Sequence, residues 1–81
     1  MSSVRFAYKV GETSGSRVDI GVFDIAGRQV RELVDQFQPT GSYLASWDGR
    51  DASGAPVHRG VYFIRSLVDG RPRVMRVAYL R

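Results

Sequence analysis

The sequence predicts an all-β fold, an antiparallel sandwich of about seven short strands forming one domain over residues 1–81. Three observations predict it. Apolar and polar residues alternate through most of the chain, the period that places every second side chain on one face of a sheet. Clusters of Gly, Asp, Ser and Pro separate these runs at intervals of about 8–12 residues. No segment carries a long helical stripe.

The first run is VRFAYKV (4–10), with Val4, Phe6, Tyr8 and Val10 on one face and Arg5, Ala7 and Lys9 on the other. GETSGS (11–16) follows as a connector, longer than expected between two neighbouring strands. RVDIGVF (17–23) turns Val18, Ile20 and Val22 inward. DIAGR (24–28) is a tight turn with Gly27 at the position that wants positive φ. In QVRELVDQF (29–37), Val30, Leu33, Val34 and Phe37 are spaced as on two helical turns. Nine residues make a poor isolated helix, and the valines favour a strand. A bulge near Glu32–Leu33 would restore its inward face.

QPTGS (38–42) is a turn. In SYLASW (42–47), Tyr43, Ala45 and Trp47 share the inward face. VYFIRSLV (61–68) has bulk on both faces, with Tyr62, Ile64, Ser66 and Val68 on one and Val61, Phe63, Arg65 and Leu67 on the other. Asp69-Gly70 is a strong hairpin signal. RVMRVAYLR (73–81) closes the chain with Met75, Val77 and Tyr79 inward.

Between Trp47 and Val61 lies DGRDASGAPVHRG (48–60), the stretch that most invites a chemical reading. Asp48, Asp51 and Ser53 offer oxygen to a hard cation. The spacing fails, because Arg50 stands between the acids and no acid follows from Ala52 to Val68. A single histidine without cysteine is a poor start for zinc, so no metal is expected. A Ser-His-Asp triad around His58 lacks any supporting motif. An isopeptide bond from Lys9 lacks an apolar setting, since Lys9 alternates to the polar face. The stretch reads instead as two successive turns in which Asp48 and Asp51 bond backbone N–H groups. Gly49 and Gly54 take positive φ, Pro56 extends Ala55, and Gly60 enters the next strand. Trp47 fills the core, and its indole N–H needs a partner.

Bulk composition narrows the function. An 81-residue chain buries only a little over ~60% of its unfolded surface and builds a thin core. Deep enzyme clefts are hard to wall at this size. Cysteine is absent, so no disulfide reinforces the fold. No apolar run approaches the ~18 residues of a membrane span, and the two serines and the alternating pattern after Met1 give no expectation of a signal peptide. The net charge is +4, and every basic residue but Lys9 is arginine. The arginines are spread along the chain; only Arg71, Arg73 and Arg76 cluster, with Arg81 beyond. Without a basic stripe, nucleic acid is not an expected partner.

Three motifs together carry a family resemblance. The first is V-x-D-x-x-G-R-x-V at Val22, Asp24, Gly27, Arg28 and Val30. The second is W-D-G-x-D-x-x-G-x-x-V at Trp47, Asp48, Gly49, Asp51, Gly54 and Val57. The third is G-V-Y-F at Gly60, Val61, Tyr62 and Phe63. With the closing RVAYLR, the chain from about residue 4 to residue 81 resembles the FlgD-type Ig-like domain of flagellar hook-capping proteins. The resemblance implies an Ig-like, fibronectin-III-like sandwich with no catalytic residues and no cofactor. It also implies a structural or sorting module, as at the C-terminus of secreted or surface bacterial proteins, similar to the sorting domains of type IX export. The location would be extracellular or cell-surface, and the chain would be a domain cut from the end of a longer exported protein. Its partner would be protein: the parent chain, the export machinery or itself. One alternative is a self-assembling scaffold as in the hook cap. Another, suggested by the aromatics, is a ligand- or carbohydrate-binding module.

Leu44, Phe63, Leu67 and Leu80 fall off the main inward phase. Sharing one outer face, they would form an apolar interface.

Overall fold

The structure, a computed structural model, describes residues 3–80. Its strands are β1 (Val4–Val10), β2 (Ser16–Phe23), β3 (Gln29–Gln38), β4 (Gly41–Trp47), β5 (Gly60–Val68) and β6 (Arg71–Tyr79). All pair antiparallel, as a two-stranded sheet β1-β4 facing a four-stranded sheet β3-β2-β5-β6. The described residues thus hold six strands where the sequence suggested about seven. The length that a seventh would need is absorbed between Trp47 and Gly60, where the chain makes turns and one isolated bridge, Arg50 to Pro56.

Period-two alternation decides which side chains meet. Val10, Val18, Ile20, Val22, Ala45, Trp47, Tyr62, Ile64 and Tyr79 are buried, each on the face its phase predicts. Val57 joins them from the loop after β4. Trp47 is the largest fully buried side chain. Burying its roughly 150–250 Å² is worth about 4–6 kcal/mol of transfer free energy, an upper figure for a chain already partly collapsed when unfolded. Val4, Phe6 and Tyr8 are only half-buried, on a strand that has a neighbour on one side alone.

β3 is a strand, and the expected bulge is present. Ile20 pairs with Val34 and Gly21 with Glu32, so Leu33 is the extra residue. A second irregularity follows, with Val22 opposite Arg31 and Phe23 opposite Gln29. One expectation fails here. Phe37 faces outward, 60% exposed, opposite Arg17. Beyond the bulge the inward place at the end of the strand falls to Gln38, which is buried and accepts the Tyr8 hydroxyl at 2.6 Å. Burial also pushes the Tyr8 hydroxyl pKa up.

The long connector after β1 has a topological cause. β1 and β2 lie in different sheets, so residues 11–15 cross the sandwich rather than close a hairpin. Asp69, in the β5–β6 turn, holds that crossing in place. Its carboxylate accepts the Gly11 amide at 2.8 Å, and its own amide donates to Ser16 Oγ at 3.1 Å. Thr40 adds a hydroxyl bond to the Glu12 carbonyl.

Candidate functional site

The motif residues are held by two neighbouring pieces, the β2–β3 turn and the loop from Asp48 to Arg59. Asp24 opens the turn. Its Oδ1 accepts the amides of Ala26 at 2.9 Å and Arg28 at 3.0 Å, and its Oδ2 accepts Arg28 Nε at 3.2 Å. Gly27 N donates back to the Asp24 carbonyl at 3.0 Å. The Arg28 amide, foremost, holds the Asp24 carboxyl below the ordinary aspartate range.

The loop begins on Trp47. The indole lies edge-on to Tyr62 at 5.3 Å between ring centres and tilted against Tyr79 at 5.6 Å. Its Nε1 donates to the Arg50 carbonyl at 2.9 Å, which supplies the partner a buried indole requires. Asp48 makes the first turn, accepting the Arg50 amide at 3.1 Å. Gly49 follows with φ +78° and is buried under Tyr79. Its carbonyl takes the Val57 amide at 2.9 Å and so brings the two ends of the loop together.

Asp51 makes the second turn. Its Oδ1 accepts the Ser53 hydroxyl at 2.7 Å, the Ser53 amide at 2.9 Å and the Ala55 amide at 3.1 Å. The Ser53 side chain, foremost, lowers the Asp51 pKa. Gly54, at φ +89°, donates its amide to the Asp51 carbonyl at 2.9 Å. Arg50 Nη1 closes over this turn onto the Gly54 carbonyl at 2.8 Å. Gly60 begins β5, and the Tyr62 hydroxyl reaches back to the His58 carbonyl at 2.6 Å. Burial pushes the Tyr62 hydroxyl pKa up, helped by the negative charge of Asp24.

Each of the three motif carboxylates is therefore engaged with the backbone of its own turn, and Asp24 and Asp48 each also hold an arginine. His58 is exposed and contributes only its carbonyl. Among the described residues no three His, Cys, Asp or Glu side chains gather as a metal site. No buried side-chain polar atom there lacks a hydrogen-bond partner.

Sequence reasoning missed Arg31. It reaches from β3 into the loop, with Nη1 at 3.0 Å from both Asp48 Oδ1 and the Arg50 carbonyl. A second tie joins the same two pieces, from the Ala52 amide to the Val30 carbonyl at 2.9 Å. No local signal marks either contact, because the partners come together only when β3 and the loop are both in place.

The four candidate interface residues do not share a face. Leu44, 67% exposed, lies on the outside of the β1-β4 sheet. Phe63 and Leu67 lie on the outside of the four-stranded sheet, and Leu80 follows its edge strand. Off-phase residues of different sheets point to opposite sides of a sandwich, which separates Leu44 from the rest. Near Phe63, the Arg65 guanidinium stacks 3.7 Å above the centre of the Phe23 ring.

The family described as the FlgD Ig-like domain matches residues 2–66, which include both motif-bearing pieces and leave β6 outside. Among solved structures, FlgD from P. aeruginosa superposes with a TM-score of 0.65 at 24% identity. The superposition covers 93% of this chain and 59% of that one. The two share a fold, and this chain spans under two thirds of the length of that structure. No curated protein matches.

Proposed function

The chain belongs to the FlgD Ig-like domain family, and from this we infer that it is a non-catalytic structural module that acts by binding other proteins. We place it at or outside the cell surface, as the sorting or attachment domain at the C-terminal end of an exported bacterial protein. One observation carries the reading: the motif residues that mark the family are consumed by the fold. Asp24, Asp48 and Asp51 hold turns, Trp47 fills the core, and Tyr62 closes the loop. A set of side chains so engaged builds a rigid end to the sandwich and offers nothing to a substrate. Recognition then falls to strand edges and sheet faces.

A second reading is favoured by the similarity to FlgD itself: a scaffold that assembles with its own copies. Light scattering behind a sizing column, at low and high salt, separates the two. A monomer at both salts is expected for a module whose partner lies elsewhere. A defined oligomer that persists in salt would replace this reading with the scaffold.

A further inference from the structure

The two sheets leave one corner of the sandwich open. At one end Trp47 of β4 covers Tyr62 and Tyr79. At the other, β1 leans toward β3, where Tyr8 bonds Gln38. What remains is a groove of about 680 Å³ between β1 and the inner faces of β5 and β6. Phe6, Tyr8, Ile64 and Met75 supply much of its apolar lining, and Lys9, Arg71 and Arg73 its positive charge. β6 records the gap residue by residue. Its inward-phase side chains pass from buried Tyr79, through half-buried Val77, to Met75 at 37% exposure and then to exposed Arg73 and Arg71. Met75 faces the inside of a sandwich with no strand above it.

The strand bordering this gap has a free edge. β1 pairs with β4 along all seven of its residues and, among the described residues, with no other strand. It carries no proline and no bulge, so its outer N–H and C=O groups form an unfilled ladder. The other bordering strand, β6, carries Pro72, which lacks a donor. A strand added to β1 would extend the smaller sheet across the groove and cover Met75.

We propose that this groove docks an extended segment of a partner protein, added as a strand to β1, with alternating apolar and acidic side chains. The proposal rests on the reading of the chain as a protein-binding module and names its surface and the chemistry of its partner. Charge selects that partner. Arg5 and Lys9 flank the edge on the outer side of β1, and Arg71 and Arg73 lie along the groove; none of the four makes an ion pair among the described residues. Glu12 and Asp69 stand at one end of the groove, but Asp69 is occupied by the Gly11 amide. A second copy is a poor occupant. Antiparallel pairing of β1 with itself about Ala7 sets Arg5 against Lys9, and like charges directly opposite destabilise a pair. An acidic strand gains at the same positions.

The test titrates isotope-labelled protein with the blocked peptide EVEIEVE, with KVKIKVK as control. The expected amide shifts are confined to β1 and residues 71–76, and every second β1 amide exchanges more slowly. The double variant R5E/K9E, altered only at exposed positions on the outer side of β1, where the peptide's glutamates lie, should bind at least about tenfold more weakly, and KVKIKVK should not bind. The proposal is overturned by shifts on the outer face of the four-stranded sheet, by indifference to charge reversal, or by no binding at about millimolar peptide. A monomer that ignores the peptide removes the groove alone. An oligomer joined through β1 removes both the groove proposal and the reading it rests on.

Discussion

Arg31 Nη1 lies 3.0 Å from Asp48 Oδ1 and 3.0 Å from the Arg50 carbonyl oxygen, the same oxygen that accepts the Trp47 indole at 2.9 Å. One guanidinium on β3 thereby orders the loop that follows β4 and sets the acceptor for the core tryptophan. Both charged side chains are partly exposed, which screens the ion pair. Arg31→Ala should therefore lower stability by about 1 kcal/mol, or about 4–8 °C in Tm. Asp48→Asn keeps an oxygen for the Arg50 amide and should lose less. Equilibrium urea unfolding checks the order; an Arg31→Ala variant as stable as the parent would show that the contact adds nothing.

Trp47 is the only tryptophan, and it is buried, so its fluorescence reports the whole core. Trp47→Ala should cost about 3–5 kcal/mol, a large part of the ~5–15 kcal/mol available to a small domain. Trp47→Phe keeps most of the apolar surface and loses the bond to Arg50, whose carbonyl still has Arg31. It should remain folded, about 1–2 kcal/mol less stable. Circular dichroism, which needs no tryptophan signal, measures both.

Gly49 and Gly54 have similar positive φ, +78° and +89°, and very different surroundings. At Gly49 a Cβ would sit 2.4 Å from atoms of the Tyr79 ring, whereas at Gly54 it would meet nothing within 4 Å. Gly54→Ala should cost only the strain of a left-handed residue, about 1–2 kcal/mol. Gly49→Ala adds a collision with a buried ring and should cost at least twice as much. Equal losses in thermal unfolding would contradict the packing account.

Asp24 and Asp51 have lowered pKa values, through the Arg28 amide and the Ser53 side chain respectively. A depressed folded pKa means that the unfolded chain binds protons more readily. The contribution of these two groups is therefore complete above the ordinary aspartate pKa of about 4 and is lost as pH falls through the lower folded values. Asp24→Asn and Asp51→Asn should each flatten the acid limb of a stability-against-pH curve and leave its slope near neutrality unchanged. A variant with the parent's acid limb would separate that aspartate from acid unfolding.

The local parts of the molecule were legible in the residues. Alternation placed Val18, Ile20 and Val22, Ala45 and Trp47, and Tyr62 and Ile64 on their inward faces, because side-chain direction in a strand depends only on parity. Asp48 and Asp51 announced their turns, because such a carboxylate bonds an amide two residues on, and Gly27 announced the turn that Asp24 opens. The bulge at Leu33 was visible as a break in the apolar phase of β3. The side chain at the end of that strand was not, and Gln38 rather than Phe37 took the inward place.

What remained hidden joins residues far apart in the chain. Arg31 finds Asp48, Asp69 finds Gly11, and Tyr8 finds Gln38 only after the sheets have stacked. The same holds for the separation of Leu44 from Phe63 and Leu67, since alternation says that a side chain points away from the core but not to which side of the sandwich. The open corner over Met75 is likewise a property of strand count. Its phase puts Met75 inside, and only the assembly of two strands against four leaves it uncovered. Thus the residues by themselves determined the strands, their inward faces and the turns, all set by neighbours a few positions apart. The tertiary structure decided which strands pair, which arginine secures the loop and which edge stays free, because those depend on contacts whose partners the chain brings together only by folding.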